Sequence, residues 1–310
     1  MSVMLCGSLA FDTVMVFKGR FKDHILADRI HMLSVAFLVP EMRRNFGGVA
    51  GNIAYNLALM GVGSEILATV GEDFGPYEAW LDKMGISRRF VSKVPDTYTA
   101  QAFITTDLDD NQITAFHPGA MSHSGGLTVP DGAGLRLGLV GPDSRDGMIE
   151  HAQQFKRAGV PFIFDVGQGL PMFDGPELRR FIDLADWVVV NDYEGQLLEE
   201  RTGLDARGIS SHCRAYIVTR GAQGSVVYAE GQVHEIPVVT PERISDPTGC
   251  GDAYRAGLIF GITRGLDWPT TARVASLIGA IKIAHHGTQN HRFTLDELKS
   301  RFEVTFGYRF

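Results

Sequence analysis

The chain has 310 residues, 45% of them hydrophobic and 21% charged, which suffices for one large α/β domain or two small ones. A formal net charge of −7 gives no basic footprint for nucleic acid, so a polyanionic cosubstrate would need local positive potential or Mg²⁺. Cys6, Cys213 and Cys250 are far apart without paired spacing, which argues against a disulfide framework and suits a reducing, cytoplasmic setting; residues 1–10 lack the basic start and apolar length of a secretory signal or membrane span.

Val3-Met4-Leu5-Cys6-Gly7-Ser8 is a continuous apolar run ended by glycine, as expected of a buried parallel strand. Asp12 follows just past its carboxyl end, where it either closes an Asx turn or faces a ligand. In residues 13–45, Val14, Val16, Phe17, Ile30, Met32, Leu33, Val35, Phe37, Leu38 and Val39 suggest short strands. Residues 98–105 and 112–116 suggest two more, joined by the acidic loop Asp107-Leu108-Asp109-Asp110-Asn111. Both stretches interrupt an otherwise alternating βα pattern. They form either one small β lid from insertions at about 13–45 and 97–118 or an extension of the main sheet. Between them, Asn45-Phe46-Gly47-Gly48-Val49-Ala50-Gly51-Asn52 leads into a helix with Ile53, Leu57 and Met60 along one face, ended by Gly61.

Residues 135–140, 161–165 and 187–190 read as strands, with helices at 143–158 and 177–184. Strand, crossover helix and parallel strand are the signature of a doubly wound sheet. Asn191-Asp192-Tyr193-Glu194 opens the next helix, and its spacing also fits a capping box. Residues 215–219 form a strand before Arg220-Gly221-Ala222-Gln223-Gly224. His285, His286 and His291 have no metal-ligand spacing and read as solvated or core residues.

The most informative stretch is Asp246-Pro247-Thr248-Gly249-Cys250-Gly251-Asp252. Pro247 stops a strand, two glycines make a bare turn, and a helix to residue 264 follows with Ala253, Gly257 and Gly261 on one face. A glycine-rich turn feeding a helix N-terminus is an anion site, and a carboxylate aimed at a phosphate is useful for handling a proton. The alternative is that Asp252 only caps the helix.

This stretch resembles the C-terminal signature of the ribokinase-like (PfkB) carbohydrate and nucleoside kinases, with Pro247 and Cys250 where the family usually has Thr and Ala. Gly47-Gly48 with Asn52, and Asn191 with Glu194, resemble its other motifs, in the right order and nearly end to end. The resemblance implies one ribokinase-like α/β domain over 1–310, a doubly wound and mostly parallel sheet with helices on both sides and a small β-sheet lid. It implies Asp252 as general base and the amides of Gly249, Cys250 and Gly251 as anion hole. Asp12, Gly47, Gly48 and Asn52 would hold ribose or sugar hydroxyls, and Gln101, Phe103, Phe116 and Phe37 would serve a base. Asn191, Thr219, Arg220, Gly221, Gly224, Ala280 and Gly287 would line ATP, and Glu194 would hold hydrated Mg²⁺. The carbonyls of Asp246 and Thr248 stand where family members hold a monovalent cation such as K⁺.

Phe46-Gly47-Gly48, Thr99-Ala100-Gln101-Ala102 and Phe116-His117-Pro118-Gly119-Ala120 look most like the bacterial and archaeal nucleoside kinases. The expected activity is ATP-dependent phosphorylation of the 5′-hydroxyl of adenosine or a related purine ribonucleoside. The alternatives are a sugar kinase for ribose or fructose and a sensor that only binds. The expected partners are the nucleoside and ATP, with no nucleic acid or membrane, in a monomer or a homodimer through the lid. No P-loop, Gly-x-Gly-x-x-Gly helix opening or Gly-x-Ser-x-Gly elbow occurs.

Overall fold

The computed structural model describes residues 2–25, 34–109, 111–131 and 134–310. Ile30, Met32 and Leu33 of the expected strands, and Asp110 of the acidic loop, lie outside the described residues. The chain runs β1 (Ser2–Cys6), β2 (Ala10–Val16), β3 (Glu41–Gly47), α1 (Val49–Leu59), β4 (Ser64–Val70), α2 (Gly75–Lys83), β5 (Val91–Lys93), β6 (Ala100–Thr106) and β7 (Gln112–His117). Then come β8 (Leu135–Val140), α3 (Arg145–Ala158), β9 (Phe162–Asp165), α4 (Gly175–Leu184), β10 (Trp187–Asn191), α5 (Asp192–Thr202) and α6 (Ala206–His212). The last are β11 (Ala215–Thr219), β12 (Ser225–Ala229), β13 (Gln232–Ile236), α7 (Cys250–Arg264), α8 (Trp268–Ile283) and α9 (Leu295–Phe306).

Nine strands form one sheet in the order β13-β12-β11-β10-β9-β8-β1-β4-β5. It is parallel from β5 to β11, and β12 and β13 add antiparallel at one edge. A parallel sheet covered on both faces needs apolar residues on both, and β1 shows how that is met. Val3 and Leu5 join the core under α1, α7 and α8, while Met4 and Cys6 join the core under α3 and α4. From β1 the sheet grows one way through β4 and the other way through β8, so a crevice opens beyond the strands' carboxyl ends.

β3-β2-β6-β7 form a separate small sheet, built from the two strand-rich stretches rather than extending the main one. One edge strand, β3, is Glu-Met-Arg-Arg-Asn-Phe-Gly and starts two residues beyond Val39, the end of the apolar cluster 35–39 from which a strand was expected. An edge strand tolerates charge, so its hydropathy does not announce it. The small-residue face of α7 packs closely on α8: a methyl on Gly257 would run into the Ala275 backbone, and one on Gly261 into the Thr271 side chain.

Candidate active site

At the start of α7, Gly249 takes the N-cap with φ 79° and ψ 4°, a left-handed conformation that favours glycine. The Cys250 amide folds back to the Pro247 carbonyl at 3.1 Å. Of the three amides expected to form an anion hole, Cys250's is thus already engaged. Those of Gly249 and Gly251 have no partner among the described residues, as the first amides of a helix do not. Burial pushes the Cys250 thiol up to about 11, so it stays neutral. A side chain on Gly251 would approach only the tip of Arg255, whose Nη1 lies 2.9 Å from an added Cβ. Gly251→Val presses on a guanidinium anchored by Asp165, so it is expected to fold but to melt below wild type in calorimetry. Its turnover should drop by ~100-fold or more, the scale of one lost oxyanion donor. A folded Gly251→Val protein with normal turnover would rule out an anion at this turn.

Asp252 sits in the first turn of α7, partly buried, and accepts a hydrogen bond from Asn52 Nδ2 at 2.8 Å. Burial pushes its carboxyl up to about 7; the Asn52 bond and the Arg255 charge oppose this, and Asp165 and Asp12 add to it. Asn52 is itself oriented. Its Oδ1 accepts from Gln289 Nε2 at 3.0 Å, and Gln289 Oε1 accepts from Trp80 Nε1 at 2.8 Å. Gln289 Nε2 also donates to Tyr77 Oη at 2.7 Å, and Tyr77 Oη donates to the Gly47 carbonyl at 2.8 Å. Asn52 was expected to grip hydroxyls with both ends of its amide. Its Oδ1 is engaged by Gln289 and its Nδ2 by Asp252, so here both ends of the amide serve to orient the carboxylate. Gln289 was not read from the sequence, because no local pattern marks it.

Arg255 lies one turn beyond Asp252 and is 6% exposed. Its Nη2 donates to Asp165 Oδ1 at 2.6 Å, its Nε lies against Asp165 Oδ2, and Glu194 Oε2 is 3.9 Å away. Burial alone would lower its pKa, but Asp165, Glu194 and Asp252 outweigh that and hold it above its ordinary value. The guanidinium thus forms the floor under Gly251. Sequence reasoning missed Arg255. The available signal was a charge three residues after Asp252, amid the small residues of a buried helix face.

Asn191 and Thr219 pair in register at the carboxyl ends of β10 and β11. Asn191 and Glu194 form a reciprocal capping box, with Glu194 N to Asn191 Oδ1 at 2.7 Å and Asn191 N to Glu194 Oε2 at 2.8 Å. Gly221 and Gly224 flank the short turn from β11 to β12. Arg220, for which a phosphate contact and a solvated side chain were equally open, pairs its guanidinium with the exposed Glu235 on β13. Ala280 lies on α8, partly buried against the core. Gly287 donates its amide to Asp246 Oδ2 at 2.8 Å. His291 is buried on Asn56 Oδ1 at 2.7 Å, and His285 Nδ1 pairs with the Ile281 carbonyl at 3.0 Å. Among the described residues no cluster of three or more His, Cys, Asp or Glu side chains is arranged to hold a metal.

Across the small sheet, Asn45, Asp12, Ala102 and Phe116 pair in register and share one face. That face turns toward α7. Asp12 lies over the bare Cα of Gly47, Asn45 lies beside Gly287, and the charges of Asp12 and Asp252 influence each other. Burial first, and the Asp246 charge second, push the Asp12 carboxyl up to about 6. Gly48, at φ 84°, lies against the backbone of residues 8–10. The bareness of Gly47 and Gly48 is thus required by the chain's own packing against Asp12 and residues 8–10. Gln101 falls on the opposite face, where its Nε2 donates to Thr13 Oγ1 at 2.7 Å. Side chains alternate along a strand, and Asp12 pairs with Ala102, so Gln101 and Phe103 must face away. Phe37 packs its ring 4.8 Å from Phe17 and 5.0 Å from Phe21. Phe116 remains, on the Asp12 face and 51% exposed.

Comparison with known proteins agrees with this fold. A nucleoside kinase of Methanocaldococcus jannaschii is 30% identical over 268 residues, covering 86% of this chain and 88% of that one. The solved structure of Burkholderia thailandensis nucleoside kinase in complex with inosine superposes with a TM-score of 0.91 at 50% identity, covering 99% of each chain. The same protein in complex with ADP-inosine gives 0.88 at 51% identity, covering 99% of this chain and 97% of that one. The ribokinase-like fold with its smaller second sheet is shared, and no helix among the described residues is long and apolar enough to cross a membrane. Residues 15–294 match the pfkB family carbohydrate kinases. The chain is a phosphotransferase acting on a hydroxyl group, and it belongs to the PfkB family.

Proposed function

We propose that this protein transfers the γ-phosphoryl group of ATP to the 5′-hydroxyl of a ribonucleoside, with adenosine and inosine as the leading acceptors. The observation that carries this reading is the row Asp12–Ala102–Phe116 on the face turned toward Asp252. An ionised carboxylate accepts from both hydroxyls of a ribose diol. Ala102 leaves a gap, and two strand spacings away, ~10 Å, an exposed ring offers a flat face to a base. A free sugar has nothing to set on that ring. The inosine complex of the Burkholderia relative supports the same class of acceptor.

Asp252, held by Asn52, accepts the hydroxyl proton as attack begins. The amides of Gly249 and Gly251 and the Arg255 guanidinium beneath them meet the charge of the transferred group. Asn191 and Thr219 line the nucleotide side at adjacent strand ends. Mg²⁺ entering with ATP would neutralise phosphate charge. Glu194 fits a hydrated Mg²⁺, since its Oε2 serves the capping box and its Oε1 is left for a water ligand. The small sheet lies across the crevice and excludes water as a lid.

The test is a phosphoryl-transfer assay over adenosine, inosine, ribose and fructose, repeated with Phe116→Ala and Gln101→Ala. Phe116→Ala should raise the nucleoside KM by ~10-fold or more, the scale of one lost base stack. Gln101→Ala should change it little, since that side chain faces away. Efficient turnover of ribose or fructose with every nucleoside untouched would establish the sugar-kinase reading instead. Nucleoside binding in calorimetry with no product would establish the sensor.

A further inference from the structure

The family resemblance implies a monovalent cation on the carbonyls of Asp246 and Thr248, and the residues present do not fit one. Lys282, near the end of α8 and 0% exposed, donates from Nζ to the Asp246 carbonyl at 2.7 Å and reaches the His285 carbonyl at 3.4 Å. The Asp246 carboxylate is also committed. Its Oδ1 accepts from the Thr248 amide at 2.9 Å and stands 4.0 Å from Lys282 Nζ, and its Oδ2 accepts from the Gly287 amide at 2.8 Å. Backbone bonds complete the ring, with Ser245 and Asp246 both donating to the Ile283 carbonyl at 2.9 and 3.1 Å. A metal cation here would lose the Asp246 carbonyl to the ammonium and meet a buried like charge within a few ångströms.

We propose that the Lys282 ammonium is this protein's own built-in monovalent cation, so that the enzyme works without K⁺. The charge does what a bound ion would do. It ties the irregular 246–248 segment, which follows no strand, to the 285–287 loop and so fixes the turn that presents the Gly249 and Gly251 amides. Lys282 is in this sense a positioning residue: it touches neither substrate nor phosphate. Burial lowers its pKa, and the neighbouring Asp246 carboxylate is the largest influence opposing that.

The inference rests on the kinase reading, and one arm of its test does not. Melting temperature is measured at constant ionic strength in KCl, NH₄Cl and tetramethylammonium chloride. Wild type should melt alike in all three. Lys282→Ala leaves room for an ion and should be stabilised by K⁺ or NH₄⁺ over tetramethylammonium, whereas Lys282→Met fills the space without charge and should not respond. In turnover, wild type should be indifferent to the cation. Lys282→Ala should lose ~10-fold or more in kcat with a smaller change in KM, the scale of one charge-assisted hydrogen bond, and recover part of it with NH₄⁺ or K⁺. A wild-type enzyme that K⁺ activates or stabilises over tetramethylammonium would overturn the proposal. So would a Lys282→Ala protein that keeps full turnover in tetramethylammonium. If neither variant folds, the wild-type comparison alone still decides. If no nucleoside is phosphorylated, the melting series still reads the site while the assay fails the kinase reading.

Discussion

Asp252→Asn is expected to lower kcat by at least ~100-fold, the scale of lost general-base catalysis, with little change in nucleoside KM. The substitution keeps shape: an amide oxygen can accept the Asn52 N–H that the carboxylate now accepts at 2.8 Å. What is lost is the ability to take a proton. The pH profile gives an independent check. Burial pushes the Asp252 carboxyl up to about 7, and a base works only when ionised, so wild-type kcat/KM should climb with pH and level off above about 7. The Asn variant should lose that limb. Stability should move the opposite way. A raised carboxyl pKa means the folded state holds its proton more tightly than the unfolded chain, so folding is penalised as pH rises through about 7. Asp252→Asn removes that penalty and should melt at or above wild type at pH 8, with the difference closing in acid. Near-wild-type turnover in the Asn variant would return Asp252 to a capping role.

Arg255→Met is expected to lower both stability and turnover, for separable reasons. Removing one partner of a buried ion pair leaves Asp165, 2% exposed, as an uncompensated charge at a cost of about 3–5 kcal/mol. For a chain of this size that is a fall of ~10 °C in Tm. Without Arg255 the burial that already raises the Asp165 pKa acts unopposed, so the deficit should widen as pH rises and shrink on acidification. The double variant Arg255→Met with Asp165→Leu replaces the pair by apolar volume and should recover much of the lost Tm. Its kcat should stay low, because the guanidinium under Gly251 is still missing. A double variant that regained turnover with stability would make Arg255 a purely structural residue.

Local spacing was enough to find the elements whose hydrogen bonds close within a few residues. The Asn191–Glu194 capping box, the glycine turn into α7 and the apolar parallel strands are all legible, because their physics lies within one turn or one strand. The proposal of an anion at the turn before Asp252 follows from the same local logic. Tertiary structure alone decided what surrounds Asp252. Asn52 reaches it across 200 residues of sequence, and Arg255 meets Asp165 across 90. Gln289 and Lys282 sit on partners that no spacing rule connects to them. Gln101 and Phe116 were indistinguishable as candidate base contacts until the sheet register was known, since a shift of one residue moves a side chain to the other face. Local sequence was enough to mark the glycine turn proposed to bind an anion and the carboxylate beside it. Long-range packing determined which groups hold that carboxylate, what charge lies beneath the turn, and which face of the small sheet looks in, because those depend on contacts whose two halves are far apart in the chain.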